Sequence, residues 1–97
     1  MATYIVLVDY TEQGIRSIKE SPGRADGFTE MAGRHGATIR NLFWTSGEHD
    51  GVIVIDAPDD MAVSKLMLSV ARLGNVRTRT LRAYERSEME SILGGVD

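Results

Sequence analysis

Few side chains in this chain could carry out chemistry, and the chemistry open to them is proton transfer and anion binding. His49 sits between Glu48 and Asp50 in the short polar run from Ser46 to Gly51. An imidazole among carboxylates suits a general base or a pH-sensitive contact. The plainer account is an exposed turn, in which Gly47 supplies a positive φ and Asp50 a local side-chain hydrogen bond. Trp44 is a large amphipathic ring, fit for the wall of a ligand pocket or for packing at a seam between subunits, and Tyr10 follows the first apolar run, at a strand end of the kind where ligands commonly sit. Arg79 belongs to the only basic run, with Arg77, Arg82 and Arg86. A guanidinium facing a cavity would hold a carboxylate through two parallel hydrogen bonds. On an edge strand the same charges guard against strand-to-strand aggregation. His35 follows a helical pattern, where a cation favours the helix carboxyl end. Asp9 and Asp56 close two apolar runs. If those runs are antiparallel neighbours, the carboxylates lie at opposite edges, which disfavours a paired acid/base site.

Composition removes most other chemistries. The 97 residues contain no cysteine, which excludes disulfides, thiolate catalysis, Cys-zinc sites and iron–sulfur clusters. Two histidines leave almost no room for a multi-His metal site, and no Gly-rich phosphate loop or serine triad is visible. Neither a metal nor a cofactor is expected. The net charge of −3 argues against nucleic acid as a partner. No apolar stretch approaches the roughly 20 residues that cross a bilayer, and the amino end lacks a signal-peptide pattern, so no membrane role and a cytoplasmic location are expected.

The elements that must position these residues are legible from periodicity. Tyr4 to Val8 is a short β-branched run that reads as a strand buried on both faces. Thr11 is placed to cap a short helical segment carrying Ile15 and Ile18. Ser21-Pro22 is a second start signal, a serine cap before a first-turn proline. Ala25, Phe28, Ala32 and His35 then recur at helical spacing up to Gly36. Gly27 and Gly33 weaken that helix by roughly 1 kcal/mol each, unless they serve a close backbone approach. Ala37 to Thr45 reads as an edge strand with Ile39 and Phe43 on one face and Arg40, Leu42 and Trp44 on the other. A hairpin through residues 46–51 leads to a second doubly buried strand, Val52 to Ile55. Asp59 can cap a helix in which Val63, Met67, Val70 and Ala71 share a face beside Leu66, ending at Gly74. Val76 to Tyr84 alternates as a last strand, with Arg77 and Arg79 on one face. Ser87 is placed to cap a terminal helix carrying Met89, Ile92 and Leu93.

The two halves repeat, and their order β-α-β-β-α-β predicts a single α+β domain over residues 1–97. It is a ferredoxin-like sandwich, a four-stranded antiparallel sheet with helices on one face. The all-apolar first and third strands suit its central positions, the alternating ones its edges. The helices cover only one sheet face, yet Ile5, Leu7, Val52 and Val54 make the other face apolar as well. Soluble monomers rarely leave so large a patch bare. A second copy packed sheet to sheet, as a homodimer or within a higher homo-oligomer, is the simplest cover.

The opening Ala2 to Leu7 with Thr11 to Arg16, Ala57-Pro58-Asp59-Asp60, and Leu73 to Thr78 leading into Leu81-Arg82-Ala83 resemble the GYD-domain family, collinearly over nearly the whole chain. The resemblance implies a dimeric α+β barrel. The family's Gly-x-Tyr-Asp hairpin appears here as Gly47-Glu48-His49-Asp50, with imidazole where the family has a phenol. The expected function is a homodimeric barrel with a small-molecule pocket between sheet and helices, for binding or cofactor-independent chemistry. In it His49 moves a proton, Trp44 and Tyr10 form the wall, and Arg79 holds an anion. The alternative is a non-catalytic dimerisation or regulatory module with a filled interior.

Overall fold

The computed structural model describes residues 1–97. Its strands are β1 (Ala2–Tyr10), β2 (Thr38–Trp44), β3 (Gly51–Ala57) and β4 (Val76–Ala83). Its helices are α1 (Glu12–Arg16), α2 (Ser21–Arg34), α3 (Asp60–Ala71) and α4 (Arg86–Gly94), with a 3₁₀ turn at Ile18–Glu20. The sheet order is β2-β3-β1-β4, with every neighbouring pair antiparallel. The two β-branched runs do occupy the centre, as the ferredoxin-like pattern requires.

The core lies between one sheet face and helices α2 and α3. Tyr4 and Val6 of β1 and Ile53, Ile55 and Ala57 of β3 meet Phe28 and Ala32 of α2 and Val63, Leu66 and Met67 of α3. Val6, Ile55 and Leu66 are fully buried, each contributing roughly 1.5–3 kcal/mol by leaving water. Thr11 caps α1 by accepting from the Gly14 amide, and Asp59 caps α3 by accepting from the Ala62 amide. Gly36 and Gly74 take the left-handed backbone after their helices (φ +73° and +84°) that a side chain would oppose.

Several expectations are corrected. Ser21 does not cap α2: it is the first helical residue, and its buried hydroxyl is engaged elsewhere. Glu85, not Ser87, caps α4, in a reciprocal capping box with Glu88. Ala71 is exposed. Gly27 and Gly33 serve no close approach, since a Cβ at either would meet nothing within 4 Å. In β2 the pairing slips between Ile39 and Asn41, so Arg40 is the extra residue of a bulge. The slip puts Ile39 on the helix-covered face with Leu42, where both pack on the core, and leaves Asn41 and Phe43 on the open face. The bulge leaves Arg40 at the sheet rim, 3.5 Å from Asp56 and 3.4 Å from Glu85.

Candidate functional site

Between the sheet and helices α2 and α3, at the end where β1 finishes and β3 begins, lies a cavity of about 400 Å³. Its floor is Val6, Val8, Gly51 and Ile53, and its walls include Phe28, Met31, Met67, Val70 and Trp44. A volume near the low end of ordinary ligand pockets, lined mostly by apolar groups, is the form that small-molecule sites take. Gly51 keeps the floor open: it is buried, and a Cβ there would lie 3.5 Å from Val8 Cβ and 3.1 Å from the Phe43 carbonyl oxygen.

Polar groups meet at one corner. Tyr10 ends β1, Ser21 starts α2 and Trp44 ends β2, three positions far apart in sequence that the fold joins. Trp44 Nε1 donates to Ser21 Oγ at 2.9 Å, and the Tyr10 hydroxyl lies 3.1 Å from the same oxygen. Sequence reading singled out Tyr10 and Trp44 but assigned Ser21 to a helix cap. No local signal marks a helix-start serine as a shared acceptor for two distant rings.

The pocket's charges are spent on the backbone. The Asp50 carboxylate accepts the Tyr10 amide at 2.9 Å, and the Asp50 amide donates to the Val8 carbonyl at 2.9 Å. Asp50 therefore extends β1 by stapling it to the hairpin, a long-range task in place of the local turn bond expected from sequence. The Arg24 guanidinium donates to the Ser17 carbonyl at 2.9 Å, the Ser17 hydroxyl at 3.1 Å and the Gly14 carbonyl at 3.3 Å.

His49 and Arg79 lie outside this cavity. Successive residues of a strand face opposite ways. Asp9, one before Tyr10, therefore faces the open side, and His49 Nδ1 sits 3.2 Å from its carboxylate. The partner of the imidazole is thus neither flanking acid. Arg79 of β4 pairs in register with Leu7 of β1, also on the open face, and makes no ion pair. The sheet itself separates the four residues expected at one site into two pairs. Asp9 and Asp56 stand at opposite ends of the sheet, as the antiparallel order requires, with Asp56 accepting from Thr3 Oγ1 at 2.8 Å. The basic run is split too. Arg82 stacks on Tyr4 and Tyr84 and pairs with Glu88, and Arg86 pairs with Glu90.

A polar pair that sequence reading missed lies at the other end of the core. The buried Tyr4 hydroxyl donates to the Asp60 carboxylate, which pushes the phenol up to about 12, with burial adding to the effect. No group of three or more His, Cys, Asp or Glu side chains is placed to hold a metal ion.

Residues 4–93 match the GYD domain. The chain belongs to the GYD-domain family. It is 32% identical, over 92% of its length and 95% of the relative's, to the "Glutamine synthetase and cystathionine beta-lyase binding protein" of Thermus thermophilus. The crystal structure of TTHA0845, from the same organism, shares the fold, with a TM-score of 0.55 at 22% identity over 89% of this chain and all of that one. Within the hairpin between β2 and β3, Asp50 is the staple of β1, while His49 reaches Asp9 on the opposite face.

Proposed function

We propose that this GYD-domain protein is a cytoplasmic, homodimeric binding module, two copies packed sheet to sheet with a small-molecule pocket in each. The observation that carries the dimer is the open sheet face. Ile5, Leu7, Val52 and Val54 form an apolar centre there, flanked by Phe43 and Leu81, which are 55% and 51% exposed. No helix of the chain covers it. Binding is favoured over proton-transfer chemistry because both charged residues on the cavity wall are engaged within the protein, Asp50 by the Tyr10 amide and Arg24 by Ser17, the Gly14 carbonyl and the Glu20 carboxylate, and His49 faces the other side of the sheet. A Val54→Lys substitution puts an unpaired charge in the middle of the seam, costing several kcal/mol on burial. Sedimentation at micromolar concentration should give twice the 10.7 kDa chain mass for the wild type and the single mass for the variant. A wild type that sediments at the single mass would sink the dimer.

A second reading concerns protein partners, and the name of the Thermus relative supports it. An assembly of this kind would present its helical surfaces outward while the seam is occupied. Titration against purified glutamine synthetase and cystathionine beta-lyase, followed by calorimetry, tests it. Heats indistinguishable from dilution with both enzymes would reject it.

A further inference from the structure

The pocket corner holds three donors and only two internal hydrogen bonds. Trp44 Nε1–H is used on Ser21 Oγ. One proton lies between Ser21 Oγ and the Tyr10 hydroxyl, whichever of the two donates it. If Tyr10 donates, the Ser21 O–H is left; if Ser21 donates, the Tyr10 O–H is left. No other protein group accepts from either hydroxyl. One O–H donor therefore always remains at the edge of a cavity whose other wall groups are mostly apolar. A bound molecule that supplied one acceptor oxygen would complete the set. A molecule without one would seal a donor away from water, and an unmet buried hydroxyl is costly.

The rest of the wall sets the body of that molecule. Phe28 and Trp44 offer aromatic faces or edges, and Met31 and Met67 offer thioethers that favour aromatic contacts. Charge is disfavoured. Asp50 would repel a carboxylate, and Arg24 already points its guanidinium at the backbone near Gly14 and Ser17. We infer that the ligand of this pocket is a small neutral aromatic molecule bearing one acceptor oxygen, read by the spare O–H of the Tyr10–Ser21–Trp44 cluster. This rests on the reading of the cavity as a small-molecule site.

Trp44 is the sole tryptophan, so its indole N–H gives a single resonance placed at the pocket corner. Three probes of similar size separate the possibilities: acetophenone, ethylbenzene, which lacks the oxygen, and benzoate, which carries charge. Acetophenone should shift the indole resonance and raise the melting temperature with concentration. It should bind at least about 5-fold more tightly than ethylbenzene, the worth of one hydrogen bond, with benzoate weaker than acetophenone. In the triple variant Tyr10→Phe, Ser21→Ala, Trp44→Phe the rings stay while all three donors go, and acetophenone and ethylbenzene should then bind alike, as judged by thermal shift. Replacing hydrogen-bonded partners together by apolar groups of the same shape is close to neutral; phenylalanine for Trp44 also trims one ring from the wall, which lowers the affinity for both probes alike, and the wild-type comparison stands without the variant. Equal binding of acetophenone and ethylbenzene to the wild type overturns the inference while leaving the pocket a ligand site. So does tighter binding of benzoate. Failure of all three probes to bind overturns the small-molecule reading itself.

Discussion

Gly14→Ala should destabilise the protein, although alanine is the better helix former. Gly14 lies inside α1 and is buried against the turn between α3 and β4. A Cβ there would sit 1.9 Å from the Asn75 carbonyl oxygen and 2.8 Å from its carbonyl carbon, both backbone atoms. Neither can swing aside as a side-chain tip could. The segments would have to part by roughly 1 Å or more before the contact became tolerable. Four hydrogen bonds hold them together: the Thr11 amide to the Asn75 carbonyl at 3.1 Å, Thr11 Oγ1 to the Gly74 carbonyl at 2.5 Å, and Gln13 Nε2 to the Leu73 carbonyl at 3.1 Å and to Asn75 Oδ1 at 3.0 Å. Losing two or three of these costs roughly 0.5–1.5 kcal/mol each, against a helix-propensity gain of about 1 kcal/mol. At a central value of about 1 kcal/mol per bond the net loss is roughly 1–2 kcal/mol, and each kcal/mol moves the melting temperature by about 4–8 °C in a domain of this size. Gly27→Ala and Gly33→Ala are the matched controls. Their Cβ atoms meet nothing within 4 Å, so they should stabilise by up to about 1 kcal/mol. Urea unfolding followed by far-ultraviolet circular dichroism, at one protein concentration throughout, measures all three. A Gly14→Ala protein as stable as the wild type would refute the close-approach argument. Because Leu73 and Asn75 also line the cavity, the variant should loosen the pocket as well as the fold.

Two further outcomes are expected. The Tyr4 phenol is pushed up to about 12 from an ordinary value of 10.0, first by its hydrogen bond to Asp60. Since the folded state holds the neutral phenol, this contribution is complete below pH 10 and is lost as pH rises toward 12. Ultraviolet titration should show one of the three tyrosines ionising near pH 12, and Tyr4→Phe should remove that step; persistence of the step would reassign it. Leu66→Ala, at a fully buried position of α3, should cost about 2–5 kcal/mol through lost transfer energy and a cavity, measured as a fall in the urea midpoint. A cost below about 1 kcal/mol would contradict close packing around Leu66.

Local pattern reached far into this protein, for a physical reason. Strand and helix periods follow from backbone geometry, so the apolar runs at Tyr4–Val8 and Val52–Ile55 announced central strands wherever the rest of the chain went. Caps at Thr11 and Asp59, and stops at Gly36 and Gly74, are decided within a few residues and were equally legible. So was the apolar character of both sheet faces, which follows from alternation alone. Tyr10 and Trp44 stood out because large amphipathic rings at strand ends are few in so short a chain.

Tertiary structure decided the rest, because it turned on distances between residues far apart in sequence. The bulge at Arg40 reassigns Ile39 to the helix-covered face, and nothing in a one-dimensional alternation reports where an extra residue is inserted. Ser21 carries a cap signature yet serves two rings from β1 and β2. Asp50 looks like a turn residue and instead staples β1, while His49 bonds to Asp9, forty positions away, in preference to the acids beside it. The sheet divides the expected site in two, since Tyr10 and Trp44 face the helices while His49 and Arg79 lie on the open side. Residue types determined which chemistry was available to this chain; the side of the sheet each one faces decided which of them could act together.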